Sequence, residues 1–336
     1  MVKAAFAILA LGLALLASRV ATAQDGYAGK QISLIVGEAP GGGYDSYARL
    51  LDRHIVRHIP GAPTLVVQNM PGAGSLNAMN HIYNTAARDG SVIGMVQRSV
   101  IIMPLLGMSG ANFAPDRLIY LGSMDQDVGV CIVRRGAGIK SMADLKTHEM
   151  VVGTEGRVSD VNSYVNPLVR VLGVKLRIVS GYNGAQPINL AIERGEVDGR
   201  CGMSYSSLKR TTSFLKDDKV IILLQLAISK DPELPDVPLF TDLAPNEEDR
   251  QALELLLAPT AIARPFFLPP EVPKARADIL RTAFVETMKD PEYLADAKRE
   301  GISARGLSGA EMQSLVDRLY HMPPSVIARA RALVND

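Results

Sequence analysis

Glycine-rich stretches that carry acidic or hydroxyl side chains follow several of the strands predicted from this sequence. They are residues 38–45 (EAPGGGYD), 70–75 (MPGAGS) and 153–159 (GTEGRVS). Each precedes a predicted helix, whose first turn has unpaired N–H groups and a partial positive charge, and glycine lets the backbone approach a ligand closely. The predicted chemistry is the binding of an anionic group by backbone donors. The residues selected on this basis are Pro40, Gly41, Gly42, Gly43, Tyr44, Asp45, Gly72, Ala73, Gly74, Ser75, Thr154, Glu155, Gly156, Arg157 and Ser159.

The alternative interpretation of residues 40–43 (PGGG) is a tight connection, with Asp45 acting only as a helix cap. The second stretch ends in Ser75, which can cap a helix or donate to a ligand oxygen. The recurrence of this kind of loop favours the binding interpretation.

Polar side chains also occur where other predicted strands end. Arg98 and Ser99 follow the third strand, and an arginine there is suited to hold a carboxylate through two parallel hydrogen bonds. The alternative interpretation of Arg98 is an exposed arginine that has no role in ligand binding. Tyr182 and Ser204 lie in corresponding loops of the second half of the chain, and all four residues join the candidate ligand-binding set.

Motifs typical of catalysis are missing from the sequence. It contains no GxSxG, HExxH, GxxxxGK[ST] or GxGxxG pattern. His54 and His58 are one helical turn apart, but no third metal ligand accompanies them, so packing or a surface position is the preferred interpretation. We therefore predict a binding protein that is not an enzyme and has no metal or cofactor. An exported α/β hydrolase using Ser75, Ser99 or Ser204 is the alternative, although no histidine lies in a strand-end loop to serve as its base.

Composition excludes two broad classes of protein. The 336 residues are 47% hydrophobic and 21% charged, with 36 basic against 35 acidic side chains, which rules out a disordered acidic protein. Aromatic residues make up only 5% and Trp is absent, so a nucleic-acid-binding surface is not expected.

The first 23 residues have the pattern of a secretory signal peptide. Lys3 precedes an apolar run over residues 4–17, and Ala21 and Ala23 supply the small residues before a cleavage site. The run is too short to cross a bilayer, which needs ~20 apolar residues. We therefore predict export to the periplasm.

Two cysteines, Cys131 and Cys201, lie in strand-like surroundings. An oxidising compartment permits a disulfide between them, and two separate buried thiols are the alternative. No cysteine or histidine spacing indicates a zinc site.

Short β-rich runs alternate with helical patterns along the chain. The first series predicts strands over 32–37, 65–68 and 92–97, with helices over 44–58 and 75–87. The second series begins near residue 128 and ends with the apolar run 220–228, which was expected to carry the chain back toward the first domain. The second-series strands are predicted over 128–133, 150–152, 176–179 and 197–203, and its helices over 141–146, 159–172 and 187–194. Further helices are predicted over 249–257, 274–289 and 309–320.

These two series predict two doubly wound α/β lobes joined by two crossing segments, because parallel strands need crossover helices. We assign residues 24–125 and 226–336 to a discontinuous first lobe and residues 126–225 to the second. Ligands of open α/β sheets bind beyond the carboxyl ends of the strands, so the cleft should collect the loops described above.

Several stretches of the chain resemble the solute receptors of tripartite tricarboxylate transporters, also called Bug receptors. They are residues 36–45 (VGEAPGGGYD), 67–75 (VQNMPGAGS) with Asp89 and Gly90, and 234–238 (LPDVP). The similarity covers nearly the whole chain after the predicted signal peptide. It implies a type II periplasmic-binding-protein fold, a Venus flytrap that closes on a small di- or tricarboxylate or related organic acid. It also implies delivery of that solute to membrane permease subunits, and we expect a monomer.

The resemblance further implies that the loops at 40–45 and 72–75 hold one end of the ligand and that the loop at 153–159 closes over the other. Glu38, Ser75, Arg98 and Arg157 depart from the usual family pattern. The two arginines would suit a second carboxylate, and Glu38 would oppose it unless it turns away or pairs with one of them. A loaded receptor that signals to a sensor protein is a further alternative to transport.

Overall fold

The computed structural model describes residues 26–155, 160–182, 184–211 and 213–335, without the side chains of 160–162 and 211. The predicted signal peptide and the candidates Gly156, Arg157 and Ser159 lie outside the described residues. Within the described ranges, no helix is both long and apolar enough to cross a membrane.

Strands and α-helices alternate along most of the described chain. The strands are β1 (Gln31–Val36), β2 (Thr64–Asn69), β3 (Val92–Met95), β4 (Ile119–Ser123), β5 (Gly129–Arg134), β6 (Met150–Thr154), β7 (Leu176–Ser180), β8 (Gly199–Ser204), β9 (Val220–Leu226), β10 (Pro265–Leu268) and β11 (Leu307–Ser308). The helices are α1 (Gly43–Ile55), α2 (Leu76–Asn84), α3 (Asp160–Leu172), α4 (Ala185–Arg194), α5 (Tyr205–Thr211), α6 (Glu247–Leu257), α7 (Lys274–Lys289), α8 (Pro291–Arg299), α9 (Gly309–Tyr320) and α10 (Pro324–Val334).

The strands form two separate sheets, and each sheet is the centre of one lobe. The first sheet has six strands in the order β11-β4-β10-β3-β1-β2, and the second has five in the order β7-β6-β8-β5-β9. β1 pairs in parallel with β2 and β3, and β6 pairs in parallel with β7 and β8. The two α/β lobes are therefore present as predicted, with crossover helices α1 to α4 connecting parallel strands of the same sheet.

Each sheet also contains antiparallel strands that the β-α-β pattern did not reveal. β10 runs antiparallel to β3 and β4, and β5 runs antiparallel to β8 and β9. These strands are reached from the other lobe or from a long connection, so their direction is free of the crossover-helix constraint.

The apolar run at 220–228 does not return the chain to the first lobe, and that expectation is wrong. It forms β9, the edge strand of the second sheet beside β5. The chain returns later, through residues 258–264, which enter β10 of the first sheet. Two long helices after β9, α6 and α10, also pack in a hydrophobic cluster with second-sheet residues such as Cys131 and Leu224. The lobe limits of 125/126 and 225/226 stay a prediction.

Cys131 and Cys201 face each other on the neighbouring strands β5 and β8 and form a disulfide. Both residues are completely buried. Of the two alternatives left open by the sequence, the structure therefore contains the bonded one.

One predicted helix is much shorter than expected. Residues 141–146 supply only a 3-10 turn, Asp144–Lys146. The Asp144 carboxylate accepts hydrogen bonds from the backbone N–H groups of Lys140 and Ser141, so it closes a local turn instead of starting an α-helix.

Candidate functional site

A cleft between the two lobes contains a cavity of about 230 Å³. Loops that follow strands of both sheets line it, as expected for a ligand site at the carboxyl ends of parallel strands. First-lobe lining residues are Glu38, Ala39, Pro40, Gly42, Gly43, Tyr44, Gln97, Arg98 and Arg264. Second-lobe lining residues are Glu155, Gly184, Ala185, Gln186, Pro187, Arg200, Gly202, Met203, Ser204 and Ser207.

The glycine loop before α1 brings the start of that helix to the cavity. Its N-cap residue, Gly42, offers no side chain to the first-turn N–H groups, and Gly43 and Tyr44 follow directly on the cavity wall. These backbone donors and the helix dipole favour an anion at this position. The ligand-binding role of this loop stays a prediction, and its position on the cavity wall is compatible with that role.

Asp45 holds the loop in shape and does not line the cavity. Its carboxylate accepts hydrogen bonds from the Gly41 amide and from Asn69 Nδ2, both at 2.9 Å, and from Arg49. Burial alone would raise the pKa of Asp45, but the hydrogen bonds from Arg49, Gly41 and Asn69 outweigh it and hold the pKa below its usual range. Gly41 likewise serves the loop and not the cavity wall.

Asp45→Asn is expected to destabilise the protein at pH 7, because the charged acceptor of three hydrogen bonds is lost. The folded-state pKa of Asp45 lies below the unfolded value of about 3.9, so the stabilisation by its ionised carboxylate is fully present above that value. It is lost as pH falls through the folded pKa. Urea denaturation at pH 7, 4 and 3 should show a wild-type advantage that shrinks with acid, and an advantage independent of pH would contradict this account.

A second helix start reaches the cavity from the opposite lobe. Gly184 is the N-cap of α4 and provides no side-chain cap, and Ala185, Gln186 and Pro187 of its first turn line the wall. The first turns of α1 and α4 therefore approach one cavity from the two lobes. Tyr182 of this loop belongs to the predicted ligand-binding set, whereas the first turn of the helix beside it does not.

Arg98, Arg200 and Arg264 line the same cavity and are each at least 96% buried. Arg98 Nη2 donates to the carbonyl of Gly202 at 3.4 Å, across the lobes. Arg200 Nη1 donates to Asn189 Oδ1 at 3.3 Å and to the Ala185 carbonyl at 3.4 Å, which ties it to the start of α4. Buried guanidinium groups are stable only near acceptors or negative charge, so this wall is suited to an anion.

Glu38 and Glu155 form the border between this cavity and a second one of about 240 Å³. Gln97 Nε2 donates to Glu38 Oε1, and to Glu155 Oε2 at 3.1 Å. Glu38 also accepts a hydrogen bond from Ser75 Oγ at 3.4 Å. Glu38 is thus held on the cavity wall by an amide and a hydroxyl.

The second cavity contains the other glycine-rich loop. Its remaining lining residues are Ala39, Pro71, Gly72, Ala73, Gly74, Gly181, Tyr182 and Gly184. Ser75 lies beneath the loop, where its Oγ donates to the Gly37 carbonyl at 2.9 Å and accepts from the Gln97 N–H at 3.1 Å. Ser75 therefore positions three strand-end loops and does not itself line either cavity.

The described candidates divide into those on a cavity wall and those behind it. The wall contains Pro40, Gly42, Gly43, Tyr44, Gly72, Ala73, Gly74, Arg98, Glu155, Tyr182 and Ser204. Gly41, Asp45 and Ser75 support the loops, and neither they nor Ser99 and Thr154 line either cavity. Residues on the wall that the candidate set lacked include Glu38, Gln97, Gln186, Arg200, Ser207 and Arg264.

The two crossing segments, residues 124–128 and 258–264, run side by side beneath the cavity. Met124 N donates to the Arg264 carbonyl, Ala263 N to the Asp125 carbonyl and Asp127 N to the Thr260 carbonyl, at 3.1 to 3.2 Å. Burial and the neighbouring Asp127 raise the pKa of Asp125. Burial also opposes ionisation of Asp127, but Arg264 and the hydroxyls of Ser204 and Ser206 outweigh it and keep its pKa low.

His54 and His58 serve packing between helices. His54 Nε2 lies 3.1 Å from Asp296 Oδ2, and His58 Nε2 lies 2.9 Å from Asp290 Oδ2, both at α8. Within the described residues, no group of three or more His, Cys, Asp or Glu is arranged to hold a metal ion.

Two α/β lobes that meet around a cleft define the architecture of the two-lobe periplasmic binding proteins, as the sequence predicted. More specifically, the chain belongs to the tripartite tricarboxylate transporter family of receptors (TctC), whose family model matches residues 48–319. Members of this family are periplasmic solute-binding receptors and not enzymes. The predicted family, fold class and lack of enzymatic function are confirmed.

A protein of Agrobacterium vitis, described as the UPF0065 protein in the TAR-I ttuE-ttuC' intergenic region, is 26% identical over 281 residues, covering 81% of this chain and 75% of that protein. Among solved structures, MatC from Rhodopseudomonas palustris with bound malate is similar, with a TM-score of 0.69, 19% identity and coverage of 91% and 99% of the two chains. R. palustris Rpa4515 with adipate gives 0.67 at 17% identity, covering 90% and 95%. The periplasmic binding protein BugD gives 0.69 at 20% identity, covering 90% and 97%. At these identities the solved structures show the shared fold.

Proposed function

We propose that this receptor captures a small organic acid with two or three carboxylates in the interlobe cleft and delivers it to the membrane permease subunits of a tripartite tricarboxylate-type transporter. The observation that carries the proposal is the convergence of two uncapped helix starts and three buried arginines on one cavity. Each of these features favours negative charge, and they approach from both lobes.

The size of the cavity supports a small solute. Drug-sized ligands occupy pockets of ~300–1,000 Å³, whereas this cavity measures about 230 Å³ and adjoins a second of similar size. Malate bound in MatC and adipate bound in Rpa4515 support the same class of ligand. We place the receptor in the periplasm as a monomer, exported through residues 1–23, on the basis of the sequence pattern and the family.

Binding is expected to stabilise the closed form, because a solute that touches both lobes has a higher affinity for that form than for the open one. A thermal-shift screen should include malate, adipate and citrate, with a neutral sugar of similar size as control. An acid at 100 times its Kd should add about 2.7 kcal/mol to the free energy of unfolding and raise the melting temperature. A screen in which no carboxylate stabilises the protein more than the sugar would count against the proposal.

A further inference from the structure

Arg264 lies where both lobes and both crossing segments meet. Its guanidinium stacks on the rings of Tyr44 and Tyr47 in α1, with its carbon 4.8 and 4.7 Å from the ring centroids. Its side chain is almost completely buried, yet it forms part of the cavity wall. The aromatic contacts of the guanidinium thus come from the first lobe.

The polar edge of Arg264 points to the second lobe. Nη2 donates to Ser204 Oγ at 2.9 Å and to Ser207 Oγ at 3.3 Å, and it lies 3.7 Å from Asp127 Oδ2. Asp127 itself accepts hydrogen bonds from the hydroxyls of Ser204 and Ser206, at the start of α5. Ser204 and Ser207 belong to the second lobe and Asp127 to the crossing segment bound to it, so these contacts of Arg264 join the two lobes.

The same contact leaves no space for a side chain at Gly43 as long as the Ser207 hydroxyl keeps its bond to Arg264. A Cβ added there would lie 2.6 Å from Ser207 Oγ and 3.5 Å from Arg264 Nη2. The backbone of Gly43 is not in the left-handed region, so alanine fits its conformation and only the approach of α5 excludes it. A neighbouring bond between the lobes, from Arg210 Nη1 to Ser46 Oγ at 3.1 Å, extends this contact along α1.

We propose that Arg264 is a positioning residue for solute capture, which sets the affinity by fixing Ser204 and Ser207 of the second lobe against Gly43 when the lobes close. This inference rests on the proposed function and adds to it a specific closure contact. The contact acts on the equilibrium between open and closed forms, and a ligand shifts that equilibrium by binding the closed form more tightly.

The first test uses Gly43→Ala, Ser207→Ala and the double variant, with the affinity for the stabilising acid measured by calorimetry. Gly43→Ala should weaken binding by about 10-fold or more, because the added methyl collides with Ser207 Oγ on closure. Its melting temperature without ligand should not fall. Ser207→Ala removes the colliding atom, so the double variant should bind about as well as Ser207→Ala alone.

This rescue separates closure from a direct effect on the solute. A methyl group that merely obstructed the ligand would still obstruct it after Ser207 is shortened, and the two effects would then add. Additive effects, or wild-type affinity in Gly43→Ala, would overturn the proposal.

A second test needs no ligand. If the wild-type protein binds no acid, the proposed function fails, but this test still decides whether the closure contact between Gly43 and Ser207 exists. The added Cβ of Gly43 lies 3.8 Å from Ser207 Cβ, a usual separation for a disulfide. Gly43→Cys with Ser207→Cys should therefore cross-link on mild oxidation, as read by thiol alkylation, with Ser207→Cys alone as control. A pair that stays reduced would overturn the closure contact.

Arg264→Lys in this cysteine-pair background tests the arginine itself. Lysine keeps the charge but lacks the planar guanidinium that stacks on Tyr44 and Tyr47 and donates to Ser204 Oγ, so cross-linking should slow several-fold. An unchanged rate would reduce Arg264 to a structural residue. Should the lysine variant not fold, the same rate comparison is made with Ser204→Ala, which removes the serine acceptor of Arg264 that is left in this background and should also slow the reaction.

Discussion

Arg98→Gln is expected to lower the affinity for the stabilising organic acid by about 10- to 100-fold. Arg98 lines the cavity from the first lobe and is almost completely buried, so its charge acts on a bound anion with little screening by solvent. Hydrogen bonds to charged groups contribute about 1.5–3 kcal/mol, which corresponds to this range in Kd. Isothermal titration calorimetry on the wild type and the variant measures the loss.

Arg98→Lys and Arg177→Gln make this test specific. Lysine keeps the positive charge without the planar fork and should lose less affinity than glutamine. Arg177 is on β7, 56% of its side chain is exposed, and its partner is Glu149, so its replacement should leave the affinity unchanged. Equal affinity in wild type and Arg98→Gln would exclude this arginine from solute recognition.

Removal of the disulfide is expected to cost about 2–4 kcal/mol of stability, the largest effect on unfolding that we predict. Cys131 and Cys201 are separated by 70 residues, so their bond closes a long loop and restricts the unfolded chain. The double variant Cys131→Ala with Cys201→Ala should unfold at a lower urea concentration than the oxidised wild type.

Reductant provides the internal control for the disulfide. Reduced wild-type protein should unfold at nearly the same urea concentration as the double variant. Reductant should not change the unfolding of the double variant itself. Identical unfolding of oxidised and reduced wild type would show that the bond contributes nothing to stability. Neither cysteine lines the cavity, but Cys201 lies between the wall residues Arg200 and Gly202, so solute affinity measured on the same variants reports whether loss of the bond disturbs the site.

The sequence was sufficient for the elements whose periodicity is strong. α1, α7 and α9 begin and end close to their predicted limits, and the strand-to-helix loops at residues 38–45 and 70–75 lie at the two cavities. Glycine and proline mark these loops locally, so no long-range information was needed to find them.

Arg200 and Arg264 could not be found in this way. Arg200 lies within a strand and Arg264 within a return segment that the sequence analysis placed elsewhere, and neither has a local pattern that separates it from a surface arginine. Their burial arises from contacts between distant parts of the chain, such as Arg264 with Tyr47. Likewise, nothing near Ser75 indicated that its hydroxyl would support three loops and not meet the ligand.

The paired crossing segments have a mechanical consequence. Asp125 is bound by Tyr47 and Ser303 of the first lobe, whereas Asp127 is bound by Ser204 and Ser206 of the second, so a single residue, Gln126, separates the attachments. Because backbone hydrogen bonds join this segment to residues 260–264 on both sides of Gln126, torsion and sliding are resisted and bending about one axis remains. Under the proposed function, the two lobes therefore meet in the same alignment at each closure, and the two halves of the proposed anion site are aligned in advance.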